Sequence, residues 1–202
     1  VNDLIEQSLL REVPGEIDHS ARFGRPPLML ELNSDSRHIL AIDLEPDRIR
    51  VAITDLIGRI LHYQEQGINR FDQPQTVLSQ IAALGKSAVN TLGKRPLEGI
   101  GMSLPGLIDT ANGVLLSSTN MPRWKNVPVA AILEKEFNKP VHVERSTHLA
   151  AIYEKWSHPH VQDKTVVMIS MRTGIGMSLM QKGQLYAGVS GLSGEIGHTV
   201  VD

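Results

Sequence analysis

The sequence predicts an α/β protein built around a mixed sheet. Three observations lead to this fold class. Apolar and polar residues alternate in three consecutive stretches between residues 38 and 65, and an apolar face at helical spacing follows in residues 74–92. The same strand pattern returns after residue 164. Strands that alternate with helices in this way indicate layered α/β units in which the helices pack on the sheet.

The first of these units is predicted to span residues 37–157. A three-stranded meander opens it, and further helices and strands complete it. The predicted elements are strands at 38–44, 48–55, 59–65, 97–103 and 141–144, helices at 74–92, 129–137 and 147–156, and a hairpin around Asn112-Gly113.

The second unit, residues 158–202, begins with a similar meander. Its predicted strands cover 165–171, 174–181 and 184–187, and a linker is expected near 157–164. Two α/β units that each open with three strands and face each other across a cleft describe the actin-like ATPase and sugar-kinase architecture, which is ribonuclease H-like. The chain ends at Asp202 shortly after a Gly-rich segment, and we expect this unit to be incomplete.

Residues 1–36 are predicted to form a separate piece. It opens with a short helix that begins before Val1 and has Leu4, Ile5, Ser8 and Leu9 on one face. A hairpin follows, with Arg22 and Arg25 near its tip. Helix and hairpin together have the shape of the back half of a winged helix-turn-helix, although an arm packed on the main domain explains these residues equally well. Residues 1–30 contain three arginines against five acidic residues, so this piece alone is not expected to hold DNA.

Length and composition exclude several classes of protein. The chain has 202 residues, of which 41% are hydrophobic and 21% charged, which is ordinary for a globular domain. No apolar run approaches the roughly 20 residues of a membrane span, so no membrane insertion is expected. The formal net charge of -2 provides no overall basic field, so any DNA contact must be local. Cysteine is absent and no secretory signal is visible, which makes the cytoplasm the expected compartment.

Several segments resemble the ROK family (repressors, open reading frames and kinases). Residues 191–198, Gly-Leu-Ser-Gly-Glu-Ile-Gly-His, are similar to the family's Glu-x-Gly-His signature, and residues 172–177 precede it as in the family. Residues 103–109 and 118–124 also match in order and spacing. Residues 24–33 resemble the wing and exit strand of the repressor branch. The resemblance covers nearly the whole chain and implies the sugar-kinase fold.

The resemblance also shows what the kinase site has lost. The family's kinases carry an Asp-x-Gly-Gly-Thr turn that cradles nucleotide phosphates, but residues 43–47 here read Asp-Leu-Glu-Pro-Asp. The carboxylates of Glu45 and Asp47 and the proline between them stand where backbone donors should be, and they are expected to repel phosphate. The second loop keeps Gly174 and Gly176 but has Arg172 at its leading glycine position, so a tight hairpin turn is the favoured explanation of these glycines. Asp43, Gly174 and Gly176 are therefore interpreted as vestigial phosphate loops, and no ATP is expected.

The catalytic pair is missing in the same way. ROK kinases have Asn-Asp after a strand-ending Glu, and the Asp takes the proton from the sugar hydroxyl. Here Glu144 is followed by Arg145 and Ser146, and His148 lies two positions from the required place. A serine with no paired base cannot act as the general base, so we predict no catalytic residue and no phosphoryl transfer.

The resemblance implies that sugar binding survives, because it requires only hydrogen-bonding groups in a cleft. Glu195 and His198 would contact the sugar from one side, and Arg145 would favour an acidic or phosphorylated sugar. The alternatives are a capping or surface role for Glu195 and a half-buried structural role for His198. The predicted sugar-binding residues are Gly106, Asn120, Glu144, Arg145, Glu195 and His198.

A metal is not expected in this chain. In family members with a structural zinc, the histidine matching His198 is one ligand and three cysteines follow it, which would place them beyond Asp202. A single histidine cannot hold Zn²⁺. His158 and His160 are an alternative pair in principle, but they flank a proline in the predicted linker and are interpreted as solvated loop residues.

We therefore predict a DNA-binding transcriptional regulator, a repressor of sugar metabolism, whose kinase-like body binds a sugar or sugar derivative. Operator DNA and further copies of the chain are its expected partners. One alternative is an ATP-dependent sugar kinase of the ROK family, and another is a kinase-fold scaffold that binds a protein partner. The winged-helix pattern and Ser146 favour the regulator over the kinase.

Overall fold

A five-stranded mixed sheet occupies the centre of the computed structural model, which describes residues 1–14, 28–161, 164–172, 174–188 and 193–200. Its strands are β3 (His38–Glu45), β4 (Arg48–Asp55), β5 (Ile60–Gly67), β6 (Leu97–Leu104) and β10 (Val141–Arg145), in the spatial order β10-β6-β3-β4-β5. The meander β3–β4–β5 is antiparallel, whereas β6 runs parallel to both β3 and β10. The predicted meander is confirmed, except that β5 starts one residue later and extends to Gly67.

The core lies on one face of this sheet because the strands alternate. Inward-facing residues of β3 and β4 are buried, and helix α2 (Pro74–Asn90) covers them with its apolar face. Pro74 opens this helix at a position where its missing N–H is not needed. The buried side chains of this core include Leu40, Ile42, Ile49, Val51, Val77 and Ile81.

A smaller three-stranded sheet extends the first unit. It consists of β7 (Leu107–Asp109), β8 (Val114–Ser117) and β9 (Lys125–Val127), of which β9 was not predicted from the sequence. Helix α3 (Val129–Phe137) has the predicted bounds and ends at Asn138 in the left-handed conformation, with φ 51°. Met121 and Trp124 are fully buried and anchor the loop between β8 and β9.

Helix α4 (Ser146–Ser157) follows β10 without a loop and joins the central sheet to a third one. That sheet contains β11 (Val166–Met171), β12 (Ile175–Gln181) and β13 (Gln184–Leu185), paired in antiparallel order. Helix α4 packs against β11 and β12, and Lys155 Nζ donates a hydrogen bond of 2.8 Å to the Gly183 carbonyl. The prediction of a four-residue last strand was wrong, since only Gln184 and Leu185 pair with β12.

The N-terminal piece contains helix α1 (Asn2–Glu6) and the antiparallel hairpin β1 (Leu10–Pro14) with β2 (Leu28–Leu32). The helix ends earlier than predicted, because Ser8 adopts a positive φ of 60°. Asn33 Nδ2 donates to the Ser8 carbonyl at 2.9 Å and ties the helix to the strand that follows. Arg22 and Arg25 lie outside the described residues.

None of the helices in the described part of the chain is long and apolar enough to cross a membrane.

Candidate sugar site

A cavity of about 390 Å³ lies where the carboxyl ends of β3, β6 and β10 face the β11–β12 turn. These three strands run parallel, so their carboxyl ends share one edge of the sheet, which is the usual position of ligands in open α/β sheets. The volume is in the range of small-molecule sites. Its described polar lining includes Asp43, Glu45, Ser103, Ser118, Thr119, Asn120, Arg145, Ser146, Thr147, Ser170, Arg172 and Glu195.

Four of the six predicted sugar-binding residues line this cavity: Gly106, Asn120, Arg145 and Glu195. They come from both sides, since Gly106 and Asn120 follow strands of the first unit and Glu195 follows the third sheet. Glu144 is not among the described residues that line the cavity, and its role as a sugar ligand stays a prediction. The side chain of His198 lies outside the described part of the structure.

Arg145 and Glu195 form an ion pair across the cavity. The Arg145 side chain is only 8% exposed, whereas the Glu195 side chain is 39% exposed. The Arg145 guanidinium also donates a hydrogen bond of 3.1 Å to the Ser193 carbonyl. The positive charge of Arg145 is therefore compensated by a carboxylate of the protein, and its preference for an acidic or phosphorylated sugar stays a prediction.

Glu144 has a structural position beside this pair. Its carboxylate accepts a hydrogen bond from the Arg145 backbone N–H at 2.7 Å and lies 3.0 Å from His148 Nδ1. Burial by itself would raise the pKa of Glu144, but the hydrogen bonds from His148 and Arg145 outweigh it and hold the pKa below its usual range. Glu144 thus fixes the junction between β10 and α4, where Arg145 and Ser146 enter the cavity.

The turn after β6 brings backbone rather than side chains to the cavity. Gly106 has φ +115°, and a Cβ at this position would collide with the Ser117 carbonyl and come within 2.9 Å of Ser118 Cα. Only glycine fits here without strain. Next to it, the buried Met121 and Trp124 hold the loop that presents Ser118, Thr119 and Asn120 to the cavity. All three residues belong to the family-like segment 118–124, but the sequence predicted a binding role only for Asn120.

The carboxylates at the β3–β4 turn are each paired with an arginine. The antiparallel register sets Asp43 opposite Arg50, and the Arg50 guanidinium lies 2.7 Å from Asp43 and 3.1 Å from Glu45. The hydrogen bonds that Arg50 donates to Glu45 and to Asp43 raise the pKa of Arg50. Arg172 of the β11–β12 turn pairs with the same Glu45. Ion pairs between side chains therefore occupy this turn, and simple charge repulsion does not describe it.

The β11–β12 connection is a tight hairpin, as expected from its glycines. The Arg172 N–H donates to the Gly174 carbonyl at 3.0 Å, and Gly176 pairs with Ser170 across the two strands. A Cβ on Gly176 would lie 3.0 Å from Thr147 Cγ2, so the absence of a side chain lets this hairpin approach α4 closely.

The described residues contain no group of three or more histidine, aspartate and glutamate side chains placed to hold a metal ion. His158 and His160 lie at the end of α4, with ring centroids 5.7 Å apart. His158 Nδ1 lies 3.0 Å from a carboxylate oxygen of Glu154, one turn earlier in the helix.

The mixed sheet, the meanders and the cavity at the carboxyl ends define a kinase-like protein of the actin-like sugar-kinase fold. The chain belongs to the ROK family, whose model matches residues 39–202. It is 28% identical over 181 residues to a xylose repressor of Caldicellulosiruptor bescii, which covers 89% of this chain and 45% of that protein. It is 30% identical over 167 residues to a glucokinase of Halalkalibacterium halodurans, which covers 82% of this chain and 50% of that protein.

A solved structure of a ROK family transcriptional regulator, a homologue of the Escherichia coli MLC protein, superposes with a TM-score of 0.83. The two sequences are 26% identical, and the match covers 100% of this chain and 50% of the other. The chain thus spans about half the length of the relatives that it matches. Both repressors and kinases occur among these relatives, so the choice between the two functions depends on the residues of the site.

Proposed function

We propose that this chain carries the sugar-sensing site of a DNA-binding transcriptional repressor and does not transfer phosphate. One observation carries the proposal. Ser146 stands at the entrance of α4 where a general base is needed, and the carboxylates among the described lining residues are each bound to an arginine: Asp43, Glu45 and Glu195. An arginine thus occupies each of these carboxylates, which leaves none of the three placed to take a proton from a sugar hydroxyl.

The cavity is nevertheless suited to a sugar. Its lining combines hydroxyl groups, the Asn120 amide, the backbone at Gly106 and the Glu195 carboxylate, all of which can bond to ring hydroxyls. We place the sugar between Gly106 and Asn120 on one side and Glu195 on the other, with His198 completing the site. The xylose repressors and the regulator structure among the relatives support a sugar-responsive repressor.

DNA binding is assigned to the N-terminal piece. We propose that α1 and the β1–β2 hairpin, within residues 1–36, are the end of a recognition helix and the wing of a winged helix-turn-helix. Arg22 and Arg25 near the hairpin tip are the proposed phosphate or minor-groove contacts. Residues 37–157 and 158–202 then form the two kinase-like units of a cytoplasmic homo-oligomer. Zinc would bind at His198 only together with cysteines beyond Asp202.

A mobility-shift experiment tests the repressor proposal. The intact protein is titrated onto the upstream region of its own gene, with and without xylose, glucose and their phosphates. We expect binding that weakens with salt and changes on addition of one sugar. Protein that ignores this DNA at low salt would contradict the proposal and favour the scaffold that binds a protein partner.

The kinase alternative has its own support, since a glucokinase is among the relatives. A coupled assay of ADP release over a panel of sugars separates the two functions. We expect no sugar-dependent turnover above about 1 s⁻¹, the lower end of usual enzyme rates. Ser146→Asp alone is expected to leave the protein inactive, because ion pairs of Glu45 still occupy the β3–β4 turn. Turnover in the unchanged protein would establish the kinase.

A further inference from the structure

Two ion pairs cross the cavity from one wall to the other. Arg145 at the end of β10 pairs with Glu195, and Arg172 in the β11–β12 turn pairs with Glu45 at the end of β3. All four residues line the cavity. The first pair belongs to the proposed sugar site. The second lies at the other end, between two turns that belong to different sheets, and the proposed function uses it only to account for the Glu45 carboxylate.

Glu45 is held in place without Arg172. Its side chain is 19% exposed and lies 3.1 Å from the Arg50 guanidinium, which also binds Asp43 at 2.7 Å. Arg48 Nε also lies 3.9 Å from the Glu45 carboxylate. Arg172, whose side chain is 67% exposed, adds a positive charge from the opposite wall. Arg50 already holds the Glu45 carboxylate, so the ion pair with Arg172 mainly orders the exposed Arg172 side chain. Most of the loss of conformational entropy therefore comes from that one side chain.

The backbone of the β11–β12 turn supports the same approach independently of charge. A Cβ on Gly176 would lie 3.0 Å from Thr147 Cγ2, and one on Gly174 would lie 3.5 Å from the Asn120 amide. Glycine positions of this turn therefore face α4 and the β8–β9 loop of the first unit, and a side chain at position 176 would crowd Thr147. The absence of a side chain at Gly176 and the ion pair between Arg172 and Glu45 both favour a close approach of the β11–β12 turn to the first unit at this end of the cavity.

We propose that Arg172 and Glu45 form a clasp that holds the β11–β12 turn against the β3–β4 turn when no ligand is bound. The clasp keeps the cavity preformed, so that a ligand meets both walls in place. Its effect on sugar affinity rests on the proposed function, whereas its effect on the turn itself does not. A protein that spends less time with its walls together binds its ligand more weakly in the same proportion.

Hydrogen exchange of the intact protein without sugar tests the clasp directly. Arg172→Met removes the charge and keeps the length of the side chain, and Arg172→Lys keeps the charge. Lys86→Met is the matched control, because it breaks an exposed ion pair of 2.6 Å with Glu136 on α2 and α3, away from the cavity. We expect exchange at residues 166–172 and 175–181 to rise about two- to fivefold in Arg172→Met, the size of one exposed ion pair. Arg172→Lys should restore most of the protection, and the control should not change it.

A double-mutant cycle assigns the effect to the pair. Glu45→Gln also loosens Arg50, so it is expected to raise exchange more than Arg172→Met, but adding Arg172→Met to it should have little further effect. Unchanged exchange in Arg172→Met, or additive effects of the two substitutions, would overturn the clasp. Sugar titrations of the same variants should show affinities about two- to fivefold weaker. If no sugar binds to the unchanged protein while the exchange results hold, the proposed function fails and the clasp stands.

Discussion

Replacing Glu195 with alanine removes two interactions of one carboxylate. Within the proposed sugar site, a hydrogen bond from a sugar hydroxyl to a charged group contributes roughly 1.5–3 kcal/mol, which corresponds to about ten- to a hundredfold in affinity. The same carboxylate neutralises Arg145, whose side chain is almost completely buried. Glu195→Ala is therefore expected to weaken sugar binding and to destabilise the fold together.

The loss of stability follows from the exposure of the two partners. Removing one partner of a fully buried ion pair costs about 3–5 kcal/mol. Here Glu195 is part-exposed, and the Ser193 carbonyl still accepts a hydrogen bond from Arg145 in the variant. We therefore expect a smaller decrease of about 1–2 kcal/mol in the free energy of unfolding. Arg145→Met combined with Glu195→Ala leaves no uncompensated charge and should recover most of this decrease without recovering sugar affinity.

Urea denaturation and calorimetric sugar titration of the intact protein measure the two effects separately. Glu136→Ala provides a matched control, since it removes the carboxylate of an exposed ion pair and should change the unfolding free energy by less than about 1 kcal/mol. An unfolding free energy unaffected by Glu195→Ala, or a double variant as unstable as the single one, would refute the reasoning about the buried pair. Unaltered sugar affinity in Glu195→Ala would place the ligand elsewhere.

Two further substitutions test the structure around the site. Asp55→Asn should destabilise the protein at neutral pH and flatten its acid dependence. Burial by itself would raise the pKa of Asp55, but hydrogen bonds from Arg59 and from the Ile57 N–H outweigh it and lower the pKa. The stabilisation is therefore present above about pH 4, the pKa of an unfolded aspartate, and is lost as the pH falls through the lower folded-state pKa; unfolding followed from pH 7 to pH 2 measures it. Gly106→Ala should cost about 1–3 kcal/mol and abolish sugar binding, because the residue has φ +115° and no space for a Cβ. Gly101→Ala is the control with open space, and equal denaturation midpoints for the two variants would contradict this account.

Much of the fold was predictable because its signals are local. The alternation of apolar and polar residues at 38–55 and the apolar face of α2 depend on residues a few positions apart in the sequence. Helix α3 was predicted with its observed bounds. Strand β9 was missed, since three residues pair with β8 only after the buried Trp124 has folded the loop back. The length of α1 was overestimated because Ser8 leaves the helical conformation.

The sequence by itself determined the family and the order of the elements, since these follow from motifs and short-range patterns, and the prediction that Ser146 replaces a catalytic base rests on the same motifs. The tertiary structure decided what the charged residues do. Arg145 meets Glu195 from 50 positions away, and Arg172 meets Glu45 from 127 positions away. Such pairs form only when separate sheets pack around one cavity, where each charged side chain meets a partner of opposite charge. Local sequence carries no record of that distance, so the ion pairs of Arg145 and Glu45 and the contact of Glu144 with His148 became visible only in the folded chain.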